Sequence, residues 1–296
     1  KFLNSIGAAG ISVRAVAQGA SARSISCVVD ADQTATAVRT VHGAFNLAHT
    51  QLSVLLLGKG VVGGSLLKQI DRQNQALGRE HDVQVRLVGI GASRGAILDP
   101  EGLPPLAAIA QLEQALAAGK AAKDVGSLLK QLSQLPNPVL VDCSAAAGME
   151  KLYRAAFEHG INVVSANKQP LALPQPERVA LLASARRHFR AYHYETTVGA
   201  ALPVIETLKN LVRTGDHVTM IEGAFSGTLG FLCECLVQGD ALSVAVRKAK
   251  DLGYTEPHPR DDLSGLDVAR KAVILARELG LQVELGDVAL EPFVPA

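Results

Sequence analysis

Long apolar runs are missing from this chain. No stretch approaches the ~18–20 consecutive apolar residues that a bilayer-spanning helix needs, so no membrane is expected as a partner. Net charge is nearly absent too: 29 Lys and Arg against 28 Asp and Glu leave a formal +1. That balance gives no bulk electrostatic reason to expect nucleic acid or an anionic membrane surface. Cysteine is scarce. The four present (Cys27, Cys143, Cys233 and Cys235) are irregularly spaced and form no evident disulfide framework, which favours a reducing compartment. The expected location is therefore cytoplasmic, or the plastid stroma in a plant or alga. Cys233 and Cys235 lack further ligands at zinc spacing and are read as packing. No signal-peptide pattern opens the chain. It begins at Lys1 inside what reads as a helix and closes on "LEPFVPA" without a terminating element, so we expect a piece of a longer polypeptide.

What is present is the composition of a globular protein, 48% hydrophobic and 19% charged over 296 residues. That length suits two domains and part of a third. "FLNSIGAAG" reads as a short helix closed by Gly10, and "ISVRAVAQG" and "ARSISCVVD" as two strands joined through "QGAS". "ADQTATAVRTVHGAFN" reads as a helix. Together they resemble a ferredoxin-like module without its first strand, over residues 1–50. A strand over Ser53–Leu57, a turn from Gly58 to Gly63 and a helix over Val61–Asn74 follow. "HDVQVRLVGIGAS", "NPVLVDCSAA" and "INVVSAN" are further strands, with helices between them such as "MEKLYRAAFEHG". Alternating strand and helix predicts an α/β doubly wound parallel sheet over residues 51–190. From residue 191 the pattern changes to α+β: a strand, a turn and a helix within "FRAYHYETTVGAALPVIETLKNLV", then a strand and glycine turn in "HVTMIEGAFSG". The remainder reads as helical, interrupted by "GYTEPHPRDDLSG".

The spacing Gly58-x-Gly60-x-x-Gly63 between an apolar strand and an amphipathic helix is that of a dinucleotide-binding turn. The first glycine permits the tight turn, the second lets backbone approach a pyrophosphate, and the third lets helix pack on strand. Free N–H groups at the helix start then face the phosphates. Gly58, Lys59, Gly60, Val61, Val62 and Gly63 are the candidate contacts. The second strand ends "GIGASRG", without the acid that bonds an NAD ribose. Arg94 stands there instead, suited to a 2′-phosphate, and Lys59 adds charge close to the pyrophosphate, so NADP is expected over NAD. A solvated loop is the simpler alternative for Arg94.

The densest chemistry lies in "GYTEPHPRDDLSGLDVARKAVILARELG". Asp267 and Lys271, four apart, share a helix face. Glu256, Asp261 and Asp262 lie on the segment leading to that helix, near its positive end. Such a set can hold a substrate ammonium and supply a proton donor; taken alone, it is more simply read as a capped helix with a surface salt bridge.

The run "GYTEPHPRDDLSGLDVARK" resembles the signature of homoserine dehydrogenases, and "VDCSAA", "SANKQPLA", "ETTVGAALPVIETL" and "EGAFSGTLGF" follow that family's order and spacing. "VRAVAQGASARSIS" is similar to the second ACT-type regulatory repeat of bifunctional aspartokinase–homoserine dehydrogenases. The resemblance covers essentially the whole chain and implies oxidoreduction between homoserine and aspartate 4-semialdehyde, in threonine, methionine and isoleucine biosynthesis. It implies Lys271 as proton donor and acceptor, Asp267 as the carboxylate beside it, and Glu256, Asp262 and Asp267 as substrate-binding acids. Lys168 matches a lysine near nicotinamide and substrate; Ser144 and Gly253 match contacts to the nicotinamide half of the cofactor. It further implies a sodium site on the backbone carbonyls of Glu195, Val198, Ala200 and Leu202, oxygen ligands that suit a hard cation. A homodimer or larger assembly is implied as well. A threonine effector is implied at Gln18, which is equally explicable as a plain strand-end glutamine.

The chain departs from the family pattern at three points. His258 stands where Asp is usual, Ala201 stands where Gly is common, and family members continue beyond the present end, returning a strand and a glycine-rich segment to the cofactor domain. The last departure leaves open an incomplete cofactor pocket. Two rival readings remain at this stage. One is an aspartate-semialdehyde dehydrogenase-like enzyme with Cys143 as nucleophile, although an inert cysteine in an apolar strand is the simpler view. The other is a non-catalytic amino-acid sensor.

Overall fold

The computed structural model describes residues 2–19, 24–44, 50–255 and 258–294. Two short strands, β1 (Val13–Gln18) and β2 (Ile25–Val29), pair antiparallel from Val13↔Val29 to Gln18↔Ile25. They are flanked by α1 (Phe2–Ala8) and α2 (Thr34–Ala44). Ile6, Ile11 and Ala37 are buried among Phe2, Val13, Cys27, Val29 and Val41. This is the expected hairpin-and-helices module. The expected "QGAS" connection and the helix end "FN" fall partly or wholly outside the described residues.

The next strand, β3 (Thr50–Leu57), buries five residues in succession, Ser53 to Leu57. A strand buried on both faces must be covered on both; α3 (Val61–His81) follows it and buries Leu67 and Ile70. The helix runs seven residues beyond the expected Asn74, because the tail "QALGREH" is rich in good helix formers. It ends where Asp82 adopts φ 53° and its N–H donates to the Leu77 carbonyl. β4 (Val83–Ala92) then pairs parallel to β3 from Thr50↔Val83 to Leu57↔Gly91.

A strand absent from the sequence reading follows. β5 (Gly95–Leu98) folds back antiparallel on β4 through a two-residue turn at Ser93 and Arg94. The glycines of β4 make this packing feasible. A Cβ at Gly89 would lie 2.6 Å from Leu55 Cδ1 and 2.7 Å from the Ile97 carbonyl. A strand of four residues carries too little periodicity to stand out between two turns.

α4 (Ala108–Ala117) and α5 (Gly126–Leu132) precede β6 (Pro138–Asp142); α6 (Met149–Glu158), β7 (Asn162–Ser165), α7 (Gln175–Arg187) and β8 (Tyr192–His193) follow. The six-stranded sheet has the order β5-β4-β3-β6-β7-β8. Strand order reverses at β3, and the carboxyl end of a strand at such a switch point is where doubly wound sheets take ligands. β3 ends on the glycine turn.

Beyond β8, the described residues are helical: α8 (Ile205–Arg213), α9 (Gly227–Val237), α10 (Leu242–Asp251), α11 (Pro259–Leu263) and α12 (Leu266–Glu278). The expected strand in "HVTMIEGAFSG" does not form. Met220 is 75% exposed and Ile221 39%, and residues 217–226 lie outside any ladder. Alternation specifies two faces, but a strand also needs a neighbour to take its N–H and C=O groups.

Contacts divide the chain into two compact units. The first comprises Lys1–Val141, Tyr153–Val163 and Ala183–Ala191; the second comprises Asp142–Leu152, Val164–Leu182 and Tyr192–Ala296. In the first, Leu55, Leu56, Leu87, Ile90, Leu112, Leu129, Leu132, Tyr153 and Phe157 are at most 2% exposed. Burial on that scale contributes roughly 1.5–3 kcal/mol per large side chain before ordering costs. In the second, Leu171, Tyr194, Val198, Ile205, Leu208, Ile274 and Leu275 form one cluster, and Leu232, Cys235, Ala245 and Ala249 another. Among the described residues, no helix is long and apolar enough to cross a membrane.

Candidate functional site

In the first unit, the glycine turn has the form its spacing predicts. Gly58 adopts φ +98°, closed to most side chains, and its N–H donates to the Gly91 carbonyl at 2.9 Å. Gly60 stands at the N-cap of α3 and contributes no side-chain cap. A Cβ there would meet nothing within 4 Å, so the approach to the helix start is open. Val61 and Val62 are 70% and 54% exposed, while Gly63 is buried. Exposed apolar residues beside uncapped helix N–H groups suit a dinucleotide pyrophosphate.

The two cations beside this turn are not solvated singly. Arg94, in the β4–β5 turn, donates to Glu113 Oε2 at 2.6 Å, and Lys59 pairs with Glu113 Oε1. Glu113 lies on α4 and bridges both. Hydrogen bonding from Lys59, together with the charges of Lys59 and Arg94, holds its carboxyl below the ordinary range. Nothing local in the sequence marks Glu113: it sits in an Ala- and Gln-rich helix, and only the fold brings it to the turn.

In the second unit, α12 presents Asp267 and Lys271 on one face. Asp267 is 3% exposed. Its Oδ2 lies 2.8 Å from Lys271 Nζ and its Oδ1 2.5 Å from Lys168 Nζ. A surface salt bridge is thus excluded. Burial alone would raise the Asp267 carboxyl, but the charges and hydrogen bonds of Lys168 and Lys271 outweigh it and hold the group below its ordinary range. Lys271 also donates to the Phe225 carbonyl at 2.7 Å. That carbonyl precedes α9, whose N-cap Ser226 accepts from the Leu229 N–H.

Lys168 owes its place to a buried polar hinge. Asn167 donates to Asp142 Oδ2 at 3.2 Å and to the Ala146 carbonyl at 2.8 Å. The other Asp142 oxygen accepts from the Ser144 N–H at 2.7 Å. Asp142, fully buried at the end of β6, thereby ties the Ser144 loop to the segment carrying Lys168. The buried Arg277 guanidinium donates to the Leu171 and Leu173 carbonyls at 2.9 and 2.7 Å, and to the Val283 carbonyl at 2.9 Å. One arginine on α12 thus anchors the segment after Lys168 to the helix that holds Asp267. No local sequence pattern marks Asp142, Asn167, Arg277 or the Phe225 carbonyl as contributors.

The remaining acids separate. Asp262 is buried on α11, one turn before α12. Asp261 lies 3.8 Å from Arg270 and does not join the lysines. Glu256 lies outside the described residues. His258 replaces the usual Asp at a helix cap: its Nδ1 accepts from the Arg260 N–H at 3.3 Å at the start of α11. The imidazole therefore caps the helix as a carboxylate would. Gly253, φ +73°, ends α10, and the following Tyr254 carbonyl accepts from Thr228 Oγ1 at 2.6 Å.

The proposed cation loop contains consecutive left-handed residues, Gly199 (φ +85°) and Ala200 (φ +52°). The Leu202 carbonyl accepts from the Val204 N–H at 2.9 Å, leaving it one lone pair. The Glu195 side chain caps α8, accepting from the Ile205 and Glu206 N–H groups at 2.8 and 2.9 Å, which leaves only its main chain for the role the resemblance gave it. Gln18 lies exposed at the end of β1. The Cys143 thiol is pushed up to about 11 by burial and by the Asp142 charge, so it is protonated near neutrality and poorly suited as a nucleophile.

Comparison with known families and structures gives a consistent result. A family model described as "Homoserine dehydrogenase, NAD binding domain" matches residues 58–195, one described as "Homoserine dehydrogenase" matches 203–295, and an ACT domain matches 1–45. The chloroplastic bifunctional aspartokinase/homoserine dehydrogenase 2 of Zea mays is 39% identical over 99% of this chain. The chain spans only 32% of that protein's length. The homoserine dehydrogenase of Emericella nidulans is 37% identical over 81% of this chain and 67% of its own length. Among solved structures, a hyperthermophilic archaeal homoserine dehydrogenase in complex with NADPH superposes with a TM-score of 0.63 at 26% identity, covering 77% of this chain and 69% of that one. With Asp267 and Lys271 together on α12 and the glycine turn formed at the end of β3, the chain belongs to the homoserine dehydrogenase family.

Proposed function

We propose that this chain carries the homoserine dehydrogenase activity of its family, interconverting homoserine and aspartate 4-semialdehyde with a nicotinamide cofactor, NADP in preference to NAD. The observation that carries the reading is the buried Asp267 carboxylate held between Lys168 and Lys271. Two ammonium groups on one carboxylate leave net positive charge at that point. An alkoxide formed from the aldehyde needs both that charge and a proton.

Lys271 supplies the proton in the reductive direction and takes it back in the oxidative one. Asp267 keeps the Lys271 ammonium aimed, and the Phe225 carbonyl fixes its second direction. Lys168 adds charge on the other side of the carboxylate. Glu256 and Asp262 are assigned to the substrate's ammonium and hydroxyl ends, with Asp267 helping to fix the ammonium. The open, uncapped start of α3 suits the cofactor phosphates, with Gly58, Gly60 and the backbone from Val61 to Gly63 as the cradle and Arg94 and Lys59 toward a 2′-phosphate. When bound, the nicotinamide supplies the hydride exchanged with the carbonyl carbon. The left-handed turn at Gly199 and Ala200 supports placing sodium on the Glu195, Val198, Ala200 and Leu202 carbonyls. Family kinship supports a dimer or larger assembly, and the ACT match supports testing threonine as an effector.

The test is Lys271→Ala assayed by NADPH oxidation with aspartate semialdehyde. Turnover should fall about 10²–10⁴-fold, the usual contribution of a positioned acid–base group, with cofactor binding largely kept. Turnover like that of the parent chain would sink the assignment.

A further inference from the structure

Lys59 comes from the glycine turn, Arg94 from the β4–β5 turn and Glu113 from α4. They are 54 and 19 residues from Glu113 in sequence, and they meet on one carboxylate. Each oxygen of that carboxylate is taken by a different cation. The three side chains are partly exposed, 38% for Lys59 and Glu113 and 65% for Arg94, so a dissolved anion can reach them. Two cations bridged by one carboxylate carry a net +1, half of what the cations alone would offer a phosphate.

From this arrangement we infer that Glu113 sets the cofactor selectivity of the chain, as an internal competitor for the cations that would receive a ribose 2′-phosphate. The inference rests on the dinucleotide reading of the glycine turn given above. A 2′-phosphate must draw Lys59 and Arg94 away from Glu113 and then lie beside its negative charge. A ribose 2′-hydroxyl need do neither, because it leaves the bridge in place. Selectivity is a difference between two affinities, and a like charge held at the site lowers one of them. Glu113 thus narrows the preference for NADPH over NADH that Lys59 and Arg94 would otherwise give. The exposed setting keeps the effect moderate, since exposed ion pairs are readily exchanged for other partners.

The experiment is equilibrium binding of NADPH and of NADH, followed by reduced-nicotinamide fluorescence, to the parent chain, Glu113→Gln, Arg94→Gln and the double variant. Glu113→Gln should bind NADPH about five- to twentyfold more tightly, the worth of two exposed pairs released to the phosphate, with NADH little changed. Arg94→Gln should weaken NADPH, and in its background the gain from Glu113→Gln should shrink, because one of the two cations is gone. Adenosine 2′,5′-bisphosphate and adenosine 5′-monophosphate, used as competitors, should repeat the pattern without the nicotinamide. Unchanged NADPH affinity in Glu113→Gln overturns the inference alone, as does an equal change for both cofactors. Weakened NADH binding in that variant also overturns it, by making Glu113 a ribose-hydroxyl acceptor. Failure of every variant and of the parent to bind either dinucleotide would instead remove the dinucleotide reading, and this inference with it.

Discussion

At the residue scale, Asp267 decides most. A carboxylate only 3% exposed is tolerable because two ammonium groups meet it. Its folded-state carboxyl is held below the unfolded range, so it contributes stability that is fully present above the unfolded value, about 4. That contribution is lost as pH falls from there through the lower folded value. Asp267→Asn removes the titrating group; its urea midpoint should depend less on pH than the parent's below about pH 4.5. An undiminished acid dependence would show that other carboxylates dominate. Cys143 gives a second check. With its thiol near 11, it should resist iodoacetamide at pH 7.5 while the exposed Cys233 reacts first. Peptide mapping distinguishes the two. Rapid Cys143 labelling with matching loss of activity would revive the nucleophilic rival.

At the element scale, the site is held by groups that tie one segment to another, and these were the least legible in the sequence. The Asp267–Lys271 pair could be read because helical spacing places residues four apart on one face. The glycine turn could be read because its three glycines each meet a backbone need. Arg277 is different: it lies six residues past Lys271, looks like an exposed helix-end arginine, and turns out to be buried. It bonds Leu171 and Leu173, more than a hundred residues earlier in the chain. No local pattern encodes such a contact. β5 and the absent strand at 217–226 make the same point, since pairing depends on which neighbour the fold supplies. Arg277→Met should destabilise by about 3 kcal/mol, because three carbonyls lose a charged donor in a buried setting. The segment carrying Lys168 should loosen as well. Urea denaturation measures the first effect, and increased amide exchange over residues 168–174 the second. Smaller still is the His258 cap: His258→Ala should cost about 1 kcal/mol, whereas His258→Asp restores a good N-cap acceptor and should not.

At the scale of the whole molecule, two compact units need not melt in a single step. Ligands then report which unit holds them, because a ligand stabilises the state that binds it by RT ln(1 + [L]/Kd). At a hundred times its dissociation constant, NADPH should add about 2.7 kcal/mol to the unit that binds it. For a unit of 150 residues or so, that raises the melting temperature by roughly 5–10 °C. The first unit, with β3, the glycine turn and α3, must respond if the turn holds the phosphates. Calorimetry with and without NADPH therefore tests the cofactor reading independently of turnover. This matters because the chain spans about a third of its bifunctional relatives. Threonine supplies the contrasting arm. A threonine-induced rise with no response to NADPH is the signature of an amino-acid sensor, whereas a rise with NADPH, with or without threonine, is that of the dehydrogenase.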